Sequence, residues 1–371
     1  MKYRIAYYCN APIAKPKDIF FRLSGLIDRG VYEDKYNFLN DYSIWNIEKF
    51  NYSLPKINSY LSYNDICLSR AENLIKDNPE GIAVAYSGGI DSLGIVSYLV
   101  KCGYPFNKIH LIGNDFSIKE APNAFEYLTK NGCKITIGSK LSDHFDNIKE
   151  KVILTGNPNG YYFYPCSSKY SKELLLKPLK ESFYEIYPRF NFNSFLDKDY
   201  ELINEYAKSL NWEIKDLADV TSLLYLGCRF LFCTNHLSLF SLNQETREKF
   251  VNFYEHQDFE DWSFSNRALT KHLWEKSLED KRYFKKYTKE AIYDVFGDYD
   301  YLCNKDKEGS WKKKLDQYYE NNNLPLICSV KDSNGFKVEY YNPLLLSGKY
   351  PKRLKQIYYD FFGEYLKPEF K

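Results

Sequence analysis

The chain has 371 residues and is almost neutral, with 51 Lys and Arg against 49 Asp and Glu. That balance excludes a broadly basic face of the kind that marks nucleic-acid binders, although it leaves room for a local patch. Mean hydropathy is negative and no apolar run reaches the length of a membrane span. The nearest candidate, Leu223 to Cys233, contains Arg229 and reads as a core helix. The first ten residues lack the long apolar segment of a secretory signal, so a cytoplasmic protein is expected. Nine cysteines, odd in number and without any C-x-x-C, imply buried reduced thiols and no zinc site. The heavy load of Tyr, Lys and Asn reads as coding bias, not as function.

In chain order, residues 1–62 form an extension of unassigned role that includes a strand from Tyr3 to Cys9. Leu68, Ala71 and Ile75 fall at helical spacing within 65–75, and Pro79-Glu80-Gly81 ends that helix. Strands and helices then alternate. Ile82 to Tyr86 is read as strand, Ser92 to Lys101 as helix, Lys108 to Gly113 as strand and Ala121 to Lys130 as helix. Cys133 to Ile137 and Val152 to Thr155 complete the strands. The alternation predicts an α/β fold with a doubly wound, mostly parallel sheet. Ligands of such sheets bind beyond the carboxyl ends of the strands, here Ser87 to Ser92, Gly113 to Asp115 and Gly156 to Gly160. From Leu202 onward a helical half is expected. Its first stripe is Leu217, Val220, Leu224, Cys228 and Leu231, and further helices are read near 245–255, 266–278 and 288–296. The tail, 322–371, should hold a hairpin around Ser333-Asn334-Gly335 and a helix from Lys352 to Phe362. The Phe253–Arg267 stretch reads as packing, with Asp258 and Arg267 as its candidate substrate contacts. His236 and His256 read as structural.

The densest chemistry is in Ser87-Gly88-Gly89-Ile90-Asp91-Ser92, between a buried strand and an apolar helix. Two glycines permit a sharp turn and bring backbone N–H groups close to a ligand. The helix N-terminus behind them favours an anion, and Ser87 and Ser92 add hydroxyl donors. The loop lacks the spacing and the lysine of a Walker A motif. Asp91, beside the helix start, can cap its free N–H groups. Asp115, after the next strand, is a candidate for ribose or metal.

This S-G-G-x-D-S loop resembles the pyrophosphate (PP) loop of the N-type ATP pyrophosphatases, the adenine nucleotide alpha-hydrolases. The resemblance continues into the synthetase domain of asparagine synthetases and beta-lactam synthetases. Glu120, Ala121 and Ala124 occupy the places of that family's acidic residue and alanine-bearing helix. Farther on, Lys286, Lys289, Ala291, Lys305, Lys307 and Gly309 follow the order of its K-x-x-x-R/K-x-A helix and R/K-x-K-x-G loop. The resemblance places this domain at 63–321, with 322–371 as a second extension. It implies that ATP and Mg bind, with Ser87, Gly88, Gly89, Ile90, Asp91, Ser92 and Lys305 on the phosphates. Ile112, Gly113, Thr155 and Gly156 would line the adenosine pocket, Asp91 would hold the metal, and Lys307 would serve catalysis beside Asp91. One departure is plain. Where the family has S-G-E-G-x-D-E, this chain has Thr155-Gly156-Asn157-Pro158-Asn159-Gly160-Tyr161, with no acid.

The implied reaction is adenylation of a substrate carboxylate followed by amide formation with ammonia, an amine or a partner protein's product. Two other readings stay open at this point. One is a PP-loop enzyme that modifies a nucleobase or tRNA. Persulfide-using members need paired cysteines, however, and only Cys166 lies near a predicted strand end, while deazaguanine nitrile synthases need a zinc-binding cysteine cluster. The other is a nucleotide-binding protein without turnover, which the missing acids favour. No built-in glutaminase is expected. Position 2 is Lys, and Cys9 inside a strand has no free α-amino group to act as base.

Overall fold

Ile82–Ala85 is apolar and buried at every position, and the strand it forms lies at the centre of a five-stranded sheet. A run with no polar side to turn toward water belongs in a parallel sheet covered on both faces. The computed structural model describes residues 2–7, 31–34, 45–48, 55–56, 60–138, 145–164, 171–186, 203–205, 207–208, 210–230, 244–305, 328–331, 337–340 and 366–367. These fall into two compact units, one of 55–164 and 233–316 and the other of 1–54, 165–232 and 317–371.

The first unit carries the parallel sheet. Its strands are β1 (Ile82–Ala85), β2 (Ile109–Asn114), β3 (Lys134–Gly138), β4 (Ile153–Thr155) and β5 (Phe250–Asn252), in the order β3-β2-β1-β4-β5. Every neighbouring pair is parallel. Helices are α1 (Tyr63–Asp77), α2 (Ile90–Lys101), α3 (Asp115–Glu120), α4 (Pro122–Lys130), α5 (Gln244–Glu248), α6 (Gln257–Ser265), α7 (Arg267–Ser277), α8 (Lys286–Phe296) and α9 (Tyr299–Asn304). They cover both faces of the sheet, giving the doubly wound α/β class with a helical C-terminal half. Local chemistry sets the boundaries. Ser62 caps α1 by accepting from the Asp65 N–H at 3.1 Å. Asn114 and Ser117 form a capping box at α3, and Pro122 opens α4, where a missing N–H costs nothing. Among the described residues no helix is long and apolar enough to cross a membrane.

Two predicted helices are corrected. The stretch expected as helix at 245–255 divides into α5 and β5, and Val251 pairs with Leu154 of β4. A three-residue strand, here Phe250-Val251-Asn252, has too little periodicity to tell strand from helix, and pairing with the edge of β4 decides. The stripe expected to run on to Leu231 ends at Gly227, because Cys228–Phe230 is a strand antiparallel to Val31–Asp34. The expected hairpin has strands Cys328–Lys331 and Lys337–Tyr340, with Val330 opposite Val338. Its turn at 333–335, the helix expected at 352–362, and Cys9, Cys166 and His236 lie outside the described residues. Cys67, Cys102, Cys133 and Cys303 are free thiols, and burial pushes Cys133 up to about 12.

Under the sheet, Ala83, Ala85, Ile112, Phe145, Ile148 and Ile153 form one buried apolar cluster. Glu150 sits at its margin, 3.0 Å from His110 Nδ1 and 3.6 Å from Lys134 Nζ. Burial alone would raise its carboxyl, but the hydrogen bond with His110 and the nearby positive charges hold it below its usual 4.5. A group lowered in the fold stabilises above its unfolded value and loses that contribution as pH falls through the folded one. Glu150→Gln should therefore cost about 2 kcal/mol at neutral pH. The difference from wild type should shrink as pH drops below 4.5, read by urea unfolding across pH.

Candidate functional site

The strand order reverses between β1 and β4. From β1 the chain moves outward to β2 and β3, then returns to lay β4 and β5 on the other side of β1. The carboxyl ends of β1 and β4 therefore flank the crevice where ligands of open α/β sheets bind. Residues 87–92 follow β1, and residues 156–160 follow β4.

Hydroxyls knit the first loop. Ser92 Oγ donates to the Gly89 carbonyl at 3.2 Å and accepts from the Ser87 N–H at 3.1 Å, while the two serine Oγ atoms stand 3.0 Å apart. Ser92 is buried and Ser87 exposed, so the first holds the turn and the second faces outward. Gly88 has φ +69°, and a Cβ there would lie 2.2 Å from the Ser117 carbonyl oxygen. Gly89 is the N-cap of α2 and no side chain caps that end. Its positive end is left for an anion.

Asp91 is the hub of the site. Lys285 Nζ donates to both Asp91 carboxylate oxygens at 2.6 Å, and Asn159 Nδ2 donates to Oδ1 at 2.7 Å. Tyr254 donates its hydroxyl to the Asp91 carbonyl at 3.2 Å. Asn159 is fully buried and is itself held, accepting a close hydrogen bond from the Tyr63 hydroxyl and lying 3.3 Å from Thr288 Oγ1. Burial pushes the Tyr63 and Tyr254 phenols well above their usual range, so both remain protonated donors. The second loop closes against the first. A Cβ on Gly156 would meet Asp91 Cβ at 2.7 Å, and one on Gly160 would lie 3.6 Å from Lys285 Nζ. Lys285 opens α8 in the left-handed region, φ 51° and ψ 42°. A non-glycine residue there stores about 1–3 kcal/mol, a strain found where surrounding contacts fix a side chain for a task.

The six loop residues Ser87, Gly88, Gly89, Ile90, Asp91 and Ser92 thus stand together at the switch point. Gly156 joins them, while Thr155 is buried and donates to Asn252. Ile112 lies in the apolar cluster, and a Cβ on Gly113 would sit 3.1 Å from the Tyr86 carbonyl oxygen. Lys305 is bound to Glu120, whose Cβ abuts Gly88; Tyr301 donates to the Gly88 carbonyl at 3.0 Å. Lys307 and Gly309 lie outside the described residues. Asp115 is exposed; Asp258 stands 3.2 Å from His256, and the Arg267 guanidinium lies 4.4 Å from the centre of the Tyr164 ring.

Sequence reasoning missed Lys285, Asn159 and Thr288. Lys286 lies 3.6 Å from Glu290 one turn along α8, and buried Lys289 donates to the Lys281 carbonyl at 2.8 Å. The pattern K-x-x-x-K-x-A, taken literally, begins at Lys285 and continues through Lys289 to Ala291. That signal would have found it.

Magnesium, implied by the resemblance, fits these residues poorly. Lys285 engages both oxygens of Asp91. The neighbouring loop offers Asn157 and Gly160, and a neutral amide is a poorer ligand for a hard dication than a carboxylate. Among the described residues no group of three or more His, Cys, Asp or Glu could hold a metal ion. Two unit charges 4 Å apart repel by about 4 kcal/mol at an effective dielectric of about 20, and a dication beside an ammonium doubles that. No protein-family model matches the chain, and no curated protein matches it.

Proposed function

We propose that the loop Ser87–Ser92 holds the phosphates of ATP and that the protein adenylates a substrate carboxylate. The observation that carries this reading is the placement of S-G-G-x-D-S at the switch point, with an uncapped helix end and the Lys285 cation beside it. A carboxylate oxygen attacks the α-phosphorus, the bond to the bridging oxygen breaks, and pyrophosphate leaves. Ammonia or an amine then displaces AMP from the acyl-adenylate and forms an amide. The loop N–H groups and Ser87 orient the phosphates, and lysine ammonium groups neutralise charge that builds on the departing oxygens. A second reading, nucleotide binding without turnover, is favoured by the engagement of Asp91 with Lys285.

Incubation with ATP labelled in its α-phosphate and pooled small-molecule and nucleobase acceptors tests both. Adenylation yields AMP and pyrophosphate in equal amounts, whereas ADP would overturn the reaction type. Binding without either product would favour the second reading. Lys307→Ala should lower AMP release about a hundredfold if that lysine meets the leaving group, a loss of about 3 kcal/mol in transition-state stabilisation.

A further inference from the structure

We infer that the Lys285 ammonium takes the place of a divalent cation at Asp91, so that this site receives a nucleotide polyphosphate without a metal ion bound to the protein. The inference rests on the nucleotide reading above and concerns how its charge is balanced.

Three observations converge on it. First, the loop after β4 brings Asn157, Asn159 and Gly160 to the site and no carboxylate, so Asp91 is the one acid in the two loops 87–92 and 156–160. A monocation balances one carboxylate, whereas a dication leaves a surplus. Second, the ammonium is a point charge with three N–H donors. Two are spent on the Asp91 oxygens at 2.6 Å. The third makes no hydrogen bond among the described residues and suits a phosphate oxygen. Third, the pair is built in place. The Lys285 side chain is 11 % exposed and that of Asp91 31 %, so the ammonium is sheltered while the carboxylate side stays open. Asn159, anchored by Tyr63 and near Thr288, holds Asp91 from behind. A Cβ at Gly160 would lie in ordinary contact with the lysine head group, 3.6 Å from Nζ and 3.7 Å from Cε, so an acidic side chain there would border the ammonium.

Fluorescent mant-ATP, titrated into the full chain in EDTA and again in magnesium, tests the inference. Wild type should bind with similar affinity in both buffers. Lys285→Met should lose about tenfold or more in EDTA, the scale of one charge-assisted contact, and Lys285→Arg should keep most of the binding. Lys285→Met combined with Gly160→Asp should bind only when magnesium is present. Circular dichroism establishes that each variant is folded. Should Lys285→Met fail to fold, wild type still decides. Binding that requires magnesium would overturn the inference and leave the nucleotide reading intact. Absence of mant-ATP binding in both buffers would remove the nucleotide reading and the inference with it. Manganese alone, followed by electron paramagnetic resonance, gives a second test. A site on the wild-type chain that Asp91→Asn abolishes would overturn the inference, and no such site is expected.

Discussion

Lys305→Met is expected to lower the unfolding free energy by about 3 kcal/mol, because it removes the cation from a nearly buried ion pair with Glu120. The two side chains are only 8 % and 11 % exposed, and Lys305 Nζ also donates to the Glu120 carbonyl at 2.6 Å. Removing both charges should be far milder than removing one. In Lys305→Met with Glu120→Leu, most of the loss should return, since neither charge then has to be stripped of water unpaired. Urea unfolding of the two single variants and the double variant measures the coupling. A loss below about 1 kcal/mol in Lys305→Met would show that the pair behaves as an exposed one. Glu120 abuts Gly88, so mant-ATP affinity of the double variant separates support of the loop from contact with phosphate.

Gly88→Ala should be comparably severe, at about 3 kcal/mol, and should abolish the nucleotide binding proposed for the loop. Two penalties combine. The backbone is left-handed at φ +69°, and the added methyl would lie 2.2 Å from the Ser117 carbonyl oxygen and 2.7 Å from Glu120 Cβ. Gly103 is the internal control, since it is also left-handed, at φ +75°, with nothing within 4 Å of a Cβ. Gly103→Ala should cost only about 1 kcal/mol, the conformational part alone. Equal losses at the two positions would show that the packing around Gly88 does not matter.

Most of the parallel core was legible because short, largely apolar strands alternate with helices along the sequence. Ile82–Ala85 shows this at its clearest. The order of the strands was not legible. Placing β4 beside β1 depends on tertiary packing, and β5 was hidden in three residues that read equally well as helix. The loop Ser87–Ser92 was legible because its residue types have strong local requirements. Lys285 was obscured by adjacent lysines at 285 and 286, since a charge pattern alone does not say which of two neighbours turns inward. The left-handed backbone at Lys285 makes that choice, and backbone conformation at a non-glycine residue leaves little trace in sequence.

The reversal of strand order also bears on synthesis at the ribosome. Thr155 and its partner Asn252 are 97 positions apart, and Asp91 waits 194 positions for Lys285. At roughly 5–20 residues per second, the carboxylate is made about 10–40 seconds before its cation. Until then a nascent chain can build α1 and the first three strands, whose contacts are local, while Asp91 stands at an unfinished rim. Arrested chains that stop short of residue 285 would therefore carry the loop with its negative charge unopposed. Charge compensation at this site waits on the helical segment that carries Lys285.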